Sequence, residues 1–475
     1  MTQHSSNNGK RRIYFLIGSL GFLLMMIMAV LFFRERIAIS DTAYQLVNLL
    51  IDHHLAFMPI RIGAASYQMI TYVAIMAHCD LKSVMIISSL SSLILFFIFY
   101  SLVFAFSSRG FLFFLIPLNL LLFTTDIFYW PVTDTQLGLI WLSMYAAFLY
   151  GDRWVARIWA WPLHIVCLMW VQMAHLLIFF PIVLLLLYYY GSLRRLLSVQ
   201  FLIHITLCLA VFAIRYKLAQ QNWYESGKLD IWQNFHNISH LFSFASVQLF
   251  AHRLLSAYSI YFASLLLVLI WLFISKQYLK GAAVLAMSLG YWLLVVLCYP
   301  GETGIYLENL FVPLGFMVAL PLVADIIPAY GSRIAVTVLV VMLIRIGFVY
   351  STHSVFTGRL AAYEPYFKYV RDHKLTGVYV KGSMLPDSHK YFMMWGSGYE
   401  SMLLSSFDSP DSCMVVCVDD DVSHYSNILQ ADSVLVIMGK TFSQASIPVN
   451  YFNLRKGGFE IISDSTQLYQ DGAKR

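Results

Sequence analysis

The sequence predicts an α-helical polytopic membrane protein of about 11 transmembrane helices followed by a small C-terminal α/β domain. Three observations lead there. The 475 residues are 60% hydrophobic and 12% charged, with a mean hydropathy of +0.70, whereas a soluble chain carries about a quarter charged residues. Apolar runs long enough to cross a bilayer recur from residue 13 to residue 351 with short polar breaks between them. From residue 352 the composition turns to short β-branched runs between polar turns. The chain is therefore expected to divide into a membrane domain, 1–351, and an extracytoplasmic α/β domain, 352–475. The net charge of +6 is scattered over short loops, which excludes a nucleic-acid partner and leaves the lipid bilayer as the expected one.

Taken in order, Lys10-Arg11-Arg12 precede an apolar run too long for a cleaved signal, so 13–33 is expected to be an uncleaved first span. Further runs fall near 83–106, 110–128, 133–150, 155–172, 175–190, 198–216, 256–275, 281–299, 309–328 and 332–351. The stretch 57–78 holds Pro59, Arg61, Ser66, Gln68 and Thr71 and is expected to lie along the interface. Only then do the breaks with Arg109, Arg153, Arg157, Arg194, Arg195, Lys276, Lys280 and Arg333 all fall inside. This places the N-terminus in the cytoplasm and the C-terminal domain outside, in a cell inner (cytoplasmic) membrane. Beyond 352, residues 377–380, 414–418 and 433–438 read as strands and 359–373 as one helix. Cys413 and Cys417 are too far apart along a strand to bridge each other, and a disulfide framework is not expected.

The outer face collects the chemistry. Asp41 follows the first span by about two helical turns, in Ser40-Asp41-Thr42-Ala43-Tyr44, where it reads as a helix cap, a catalytic carboxylate, or both. Asp126 and Asp134 flank Trp130-Pro131 in the next outer loop; Asp126 reads as a solvated acid or cap, Asp134 as a second functional carboxylate. Tyr44, His175, Glu302, Tyr306 and Glu308 are candidate substrate contacts, with a hydrogen-bonded core role as the alternative for His175. Arg61 can meet a phosphate at headgroup depth. Arg215, Lys217, His252 and Arg253 bracket the long outer loop and read as snorkelling cations unless they too face a phosphate, and Arg345 either snorkels or pairs with an acid. Asp52-His53-His54 reads as a solvated helix end and Asp419-Asp420-Asp421 as an acidic turn.

A first span, an outer loop with Asp41 near its start, interfacial helices in that loop and Thr133-Asp134 opening a later span together resemble the GT-C superfamily of polyprenyl-phosphate-sugar-dependent glycosyltransferases, the group of protein mannosyltransferases and aminoarabinose transferases. The resemblance implies an inverting glycosyltransferase using a polyprenyl-phosphate-linked sugar donor and a glycan, lipid or protein acceptor. It gives Asp41 the role of base or metal-facing acid and Asp134 that of the second acid. No cofactor is implied beyond an optional divalent cation. The chain departs from many relatives in having Glu308-Asn309 where an Arg-Tyr pair opens a late span, and Met58-Pro59-Ile60-Arg61 where the first loop carries Pro-Pro-Leu. Two rival functions remain at this stage: an O-antigen polymerase or ligase working through His252 and Arg253, and a lipid or glycan transporter using mid-span groups such as His204 and Arg345.

Overall fold

The computed structural model describes residues 2–55, 63, 65–107, 110–151, 160–221, 226, 236, 238–301, 304–384, 394–422, 425, 434–437, 440–454 and 457–464. The first apolar run lies in helix α1 (Thr2–Leu31), and one helical turn, α2 (Phe33–Ile37), carries the chain into α3 (Ser40–Asp52). α4 (Ala65–Met76) turns through His78, in a left-handed conformation, into α5 (Leu81–Phe106), whose N-cap is Asp80. At 1.5 Å per residue α4 is about 18 Å long, too short to cross a bilayer core of about 30 Å alone.

The expected run at 110–128 is broken. It contains α6 (Leu115–Leu121) between two single 3₁₀ turns, Leu112–Phe114 and Asp126–Tyr129, and the buried chain from Thr124 to Thr133 is mostly non-helical. Next come α7 (Asp134–Leu149), α8 (Trp161–Ala174), α9 (Phe179–Ser192) and α10 (Val199–Gln220). α11 (Ala245–Leu254) meets α12 (Ser259–Ile274) at a bend of 78°, and α13 (Tyr278–Cys298), α14 (Gly304–Pro321) and α15 (Ala335–Ser351) complete the apolar part. Among the described residues five helical stretches are long and apolar enough to cross a membrane, or six if the bent pair counts as one crossing. α7, α8 and α9, at 16, 14 and 14 residues, are shorter than one crossing of about 30 Å requires.

Beyond α15 the predicted helix 359–373 is two helices, α16 (His353–Ala361) and α17 (Glu364–Asp372). Pro365 is the cause: it cannot donate to the preceding turn but suits the first turn of a new helix. The three predicted strands are present as β1 (Gly377–Lys381), β2 (Val415–Asp419) and β3 (Val434–Ile437), joined by β4 (Lys440–Ser443) and β5 (Phe459–Ile462). β1 lies between β2 and β5, parallel to both, with Gly377 opposite Val415 and Phe459; β3 and β4 form a separate antiparallel pair. Helix α18 (Ser397–Ser406) connects β1 to β2.

The boundary at 351 separates segments of chain but not hydrophobic cores. One core joins Leu46 and Leu50 of α3, Ile75 of α4 and Val84 of α5 to Met402 and Leu403 of α18 and to Val415 of β2. In α3, Leu46, Val47, Leu49 and Leu50 are all buried, because α18 and the sheet cover the face that the membrane helices leave open. All six cysteines are free thiols.

Candidate functional site

Asp41 stands in the first turn of α3, and the N-cap position belongs to Ile39, which has no side-chain cap bond. The expected cap role is thus supplied from elsewhere. Glu400 Oε1, from α18, accepts the Ser40 N–H at 2.6 Å. The other oxygen of Glu400 accepts from the Tyr363 hydroxyl and is ion-paired with Arg359, whose guanidinium also donates to the Ala38 carbonyl. These side chains are almost completely buried, at 2% exposure for Arg359 and none for Glu400. Gly396 permits the contact: a Cβ there would lie 2.5 Å from Ser40 Cα. The residues just before Asp41 are therefore fixed by a clamp from the far end of the chain. On the opposite side, Arg36 fixes the same stretch to α5, donating to Ser89 Oγ at 2.9 Å and the Ser89 carbonyl at 3.0 Å, and to the carbonyl of Phe128.

Asp134 opens α7 and, like Asp41, is half-buried. A buried phenol that feels both charges is Tyr67 of α4, 3% exposed, whose hydroxyl donates to Gln45 Oε1 at 3.4 Å while Gln68 Nε2 donates to the same oxygen at 2.8 Å. Burial pushes the Tyr67 phenol well above its ordinary pKa, and the negative charges of Asp134 and, more weakly, Asp41 push the same way. Both carboxylates thus bear electrostatically on one phenol. Tyr44, one turn along α3, is raised by burial, then by Asp52 and Asp41. Beside this group is a narrow cleft of about 20 Å³, room for about one water, lined by Thr42, Gln45, Tyr67, Gln68 and Ser91 among others. The hydroxyls of Thr42, Thr133 and Thr135, the chain neighbours of the two aspartates, are buried and have no hydrogen-bond partner among the described residues. Buried hydroxyls rarely stay unpaired, and Thr42 lines the cleft, so its hydroxyl marks a place that water or a ligand hydroxyl can complete.

Comparison with known proteins returns nothing: no family model, no curated protein and no solved structure matches this chain.

Glu308, an expected substrate contact, and Arg253, expected to snorkel or to face a phosphate, are brought together with Asp126. Arg253 Nη1 meets Glu308 Oε2 at 2.9 Å and its Nη2 meets Asp126 Oδ2 at 2.6 Å. Glu308 also accepts from the Thr125 and Ile127 amides at 2.6 and 3.0 Å, the Thr125 hydroxyl at 2.5 Å and the Tyr258 hydroxyl at 3.2 Å. Asp126 is 3% exposed, so it is not the solvated acid its loop position suggested. Instead the three side chains tie the 3₁₀ turn 126–129 to the ends of α11 and α14. Arg345 is buried rather than snorkelling and pairs with no acid among the described residues: it donates to the carbonyls of Leu121 (2.8 Å), Thr124 (2.7 Å) and Ala257. Those carbonyls lie where α6 ends and where α11 bends into α12, places where helix geometry leaves acceptors unused. Arg215 is fully buried rather than snorkelling.

Tyr306 is half-buried, with its ring 6.3 Å from that of Trp130. His175 ends α8, and its Nδ1 accepts the Leu177 amide at 3.3 Å. Arg61 and Glu302 lie outside the described residues. Among the described residues no three His, Cys, Asp or Glu side chains gather as a metal site, so the optional divalent cation has no evident ligand set. Tyr67 and Gln45 escaped sequence reading because a lone tyrosine or glutamine in an apolar helix carries no spacing signal. Gln68 and Thr71 on a short apolar helix were the available hint, since Tyr67, Gln68 and Thr71 are all buried.

Proposed function

We propose that this chain is a GT-C-like membrane glycosyltransferase that moves a sugar from a polyprenyl-phosphate carrier to an acceptor on the outer face of a cytoplasmic membrane. The observation that supports it is a polar cleft lined by Thr42, Gln45, Tyr67 and Gln68, beside a buried phenol that feels the charges of both Asp41 and Asp134. In the reaction an acceptor hydroxyl attacks the anomeric carbon, and its proton passes to the Asp41 carboxylate. The bond from that carbon to the carrier phosphate breaks with inversion, and the phosphate departs with the bonding electrons. Arg61, by its place in the sequence, neutralises that phosphate, while Asp134 and the Tyr67–Gln45–Gln68 group orient the hydroxyl. In this topology the shorter apolar helices also lie in the bilayer, giving about 11 membrane segments, and the sheet-bearing C-terminal domain is extracytoplasmic.

Rival functions gain less support. Arg253, needed for a polymerase or ligase, has both terminal nitrogens on carboxylates. Arg345 and His204, the mid-span groups a transporter would use, are held by backbone carbonyls and by the Tyr190 hydroxyl at 2.7 Å.

The test is transfer from a polyprenyl-phosphate sugar in membranes carrying Asp41→Asn. Loss of a general base lowers the rate by about 10²–10⁴, and a deletion strain should accumulate an undecorated glycan or lipid. A normal transfer rate in Asp41→Asn removes the base from the mechanism.

A further inference from the structure

A crevice of about 280 Å³ opens where β2 and β3 end and α18 begins. Carboxyl edges of parallel strands are where α/β sheets leave room for ligands, because the chain turns away there toward the next helix. Two aromatic residues, Trp395 and Tyr425, line it, and the Tyr425 ring is backed by Tyr379 at 4.2 Å and 13°. Asp419, half-buried, accepts the Tyr425 hydroxyl at 2.8 Å, so ring and carboxylate hold one another in place. Asp420 is exposed at the rim, and Ser397 Oγ is occupied by the Val418 amide at 2.8 Å.

The chemistry of this lining selects a ligand. Among the described lining residues there is no cation, so a phosphate or carboxylate would meet no opposing charge. Ionised carboxylates only accept hydrogen bonds, so the ligand must bring donors. Flat aromatic walls favour a ligand with an apolar face. A sugar ring has both, a face of C–H groups and a rim of hydroxyls, and the volume accommodates one. The crevice also adjoins the candidate site: Trp395 meets Tyr44 edge-on at 6.1 Å, and Tyr44 is one helical turn from Asp41.

We infer that this crevice seats a neutral sugar ring of the acceptor, which makes the acceptor a glycan. Its role as an acceptor subsite rests on the proposed transferase, whereas sugar binding itself does not. The measurement is saturation-transfer NMR on the full chain in nanodiscs, with the methyl glycosides of mannose, glucose, N-acetylglucosamine and glucosamine as probes. At least one neutral glycoside should bind the wild type and Asp41→Asn alike, and bind at least tenfold more weakly to Asp420→Asn and Trp395→Ala. Asp420 is exposed, so Asp420→Asn stays folded and serves as the control should Trp395→Ala not fold. Failure of every neutral glycoside to bind the wild type overturns the inference, as does binding unchanged in Asp420→Asn or confined to the cationic glucosamine derivative. Glycoside binding alongside normal transfer by Asp41→Asn would instead sink the mechanism and leave the sugar site standing.

Discussion

Glu400→Gln isolates the clamp that holds the chain ahead of Asp41. The substitution keeps the shape of the side chain and an oxygen for the Ser40 amide, but leaves the Arg359 guanidinium, 2% exposed, without its carboxylate. Breaking a buried ion pair from one side costs about 3–5 kcal/mol, because the remaining charge stays desolvated. Arg359→Met should cost about the same for the mirror-image reason. In the double variant both charges are gone. What is then lost is chiefly the donor to the Ala38 carbonyl, about 1–3 kcal/mol for an unsatisfied buried group. The two single costs would add to about 6–10 kcal/mol if independent, so the coupling should be at least about 3 kcal/mol. Unfolding free energies from tryptophan fluorescence in mixed micelles of dodecylmaltoside and SDS measure it. Single costs that simply add, within about 0.5 kcal/mol, would show that the two side chains do not act as a pair.

Arg345→Met should lower the unfolding free energy strongly, by about 3 kcal/mol or more, since three backbone carbonyls lose a charged donor at once; a wild-type unfolding free energy would mean that water replaces it. Asp134→Asn should cut transfer while leaving the unfolding midpoint within experimental scatter, and an unfolded product would assign Asp134 to the fold instead. Asp80 caps α5 through a long 3.4 Å bond to the Ser83 amide, and its pKa is lowered, chiefly by hydrogen bonding to the Ser83 side chain. A lowered folded pKa stabilises above the unfolded value and is lost as pH falls through the folded one. The deficit of Asp80→Ala, about 0.5 kcal/mol at neutral pH for this solvent-exposed cap, should therefore narrow as the medium is acidified below the ordinary 3.8. A pH-independent difference in unfolding midpoints would contradict that origin.

Much of the local structure was legible because its cause is local. Long apolar runs became α1, α5, α10 and α13, and β-branched runs became β1, β2 and β3 within a residue or two of where alternation and turn residues placed them. The reading failed where an apolar run carried its own interruption. Residues 110–128 look continuous by hydropathy, yet the chain leaves the helix after Leu121 and its carbonyls are taken up by Arg345. A single helix at 359–373 overlooked what Pro365 does to the turn before it.

The sequence by itself determined that the chain enters lipid, where its helices and strands form, and that Asp41 and Asp134 are acids near helix starts, because hydrophobicity and backbone preference act over a few neighbouring residues. Only the tertiary structure decided that the Tyr67 phenol feels both of those acids, that Asp126 and Glu308 share Arg253, and that Glu400 holds the amide of Ser40 from 360 residues away. Charged groups excluded from water must find partners, and which partner lies within 3 Å is fixed by how the cores pack rather than by anything in their own stretch of chain.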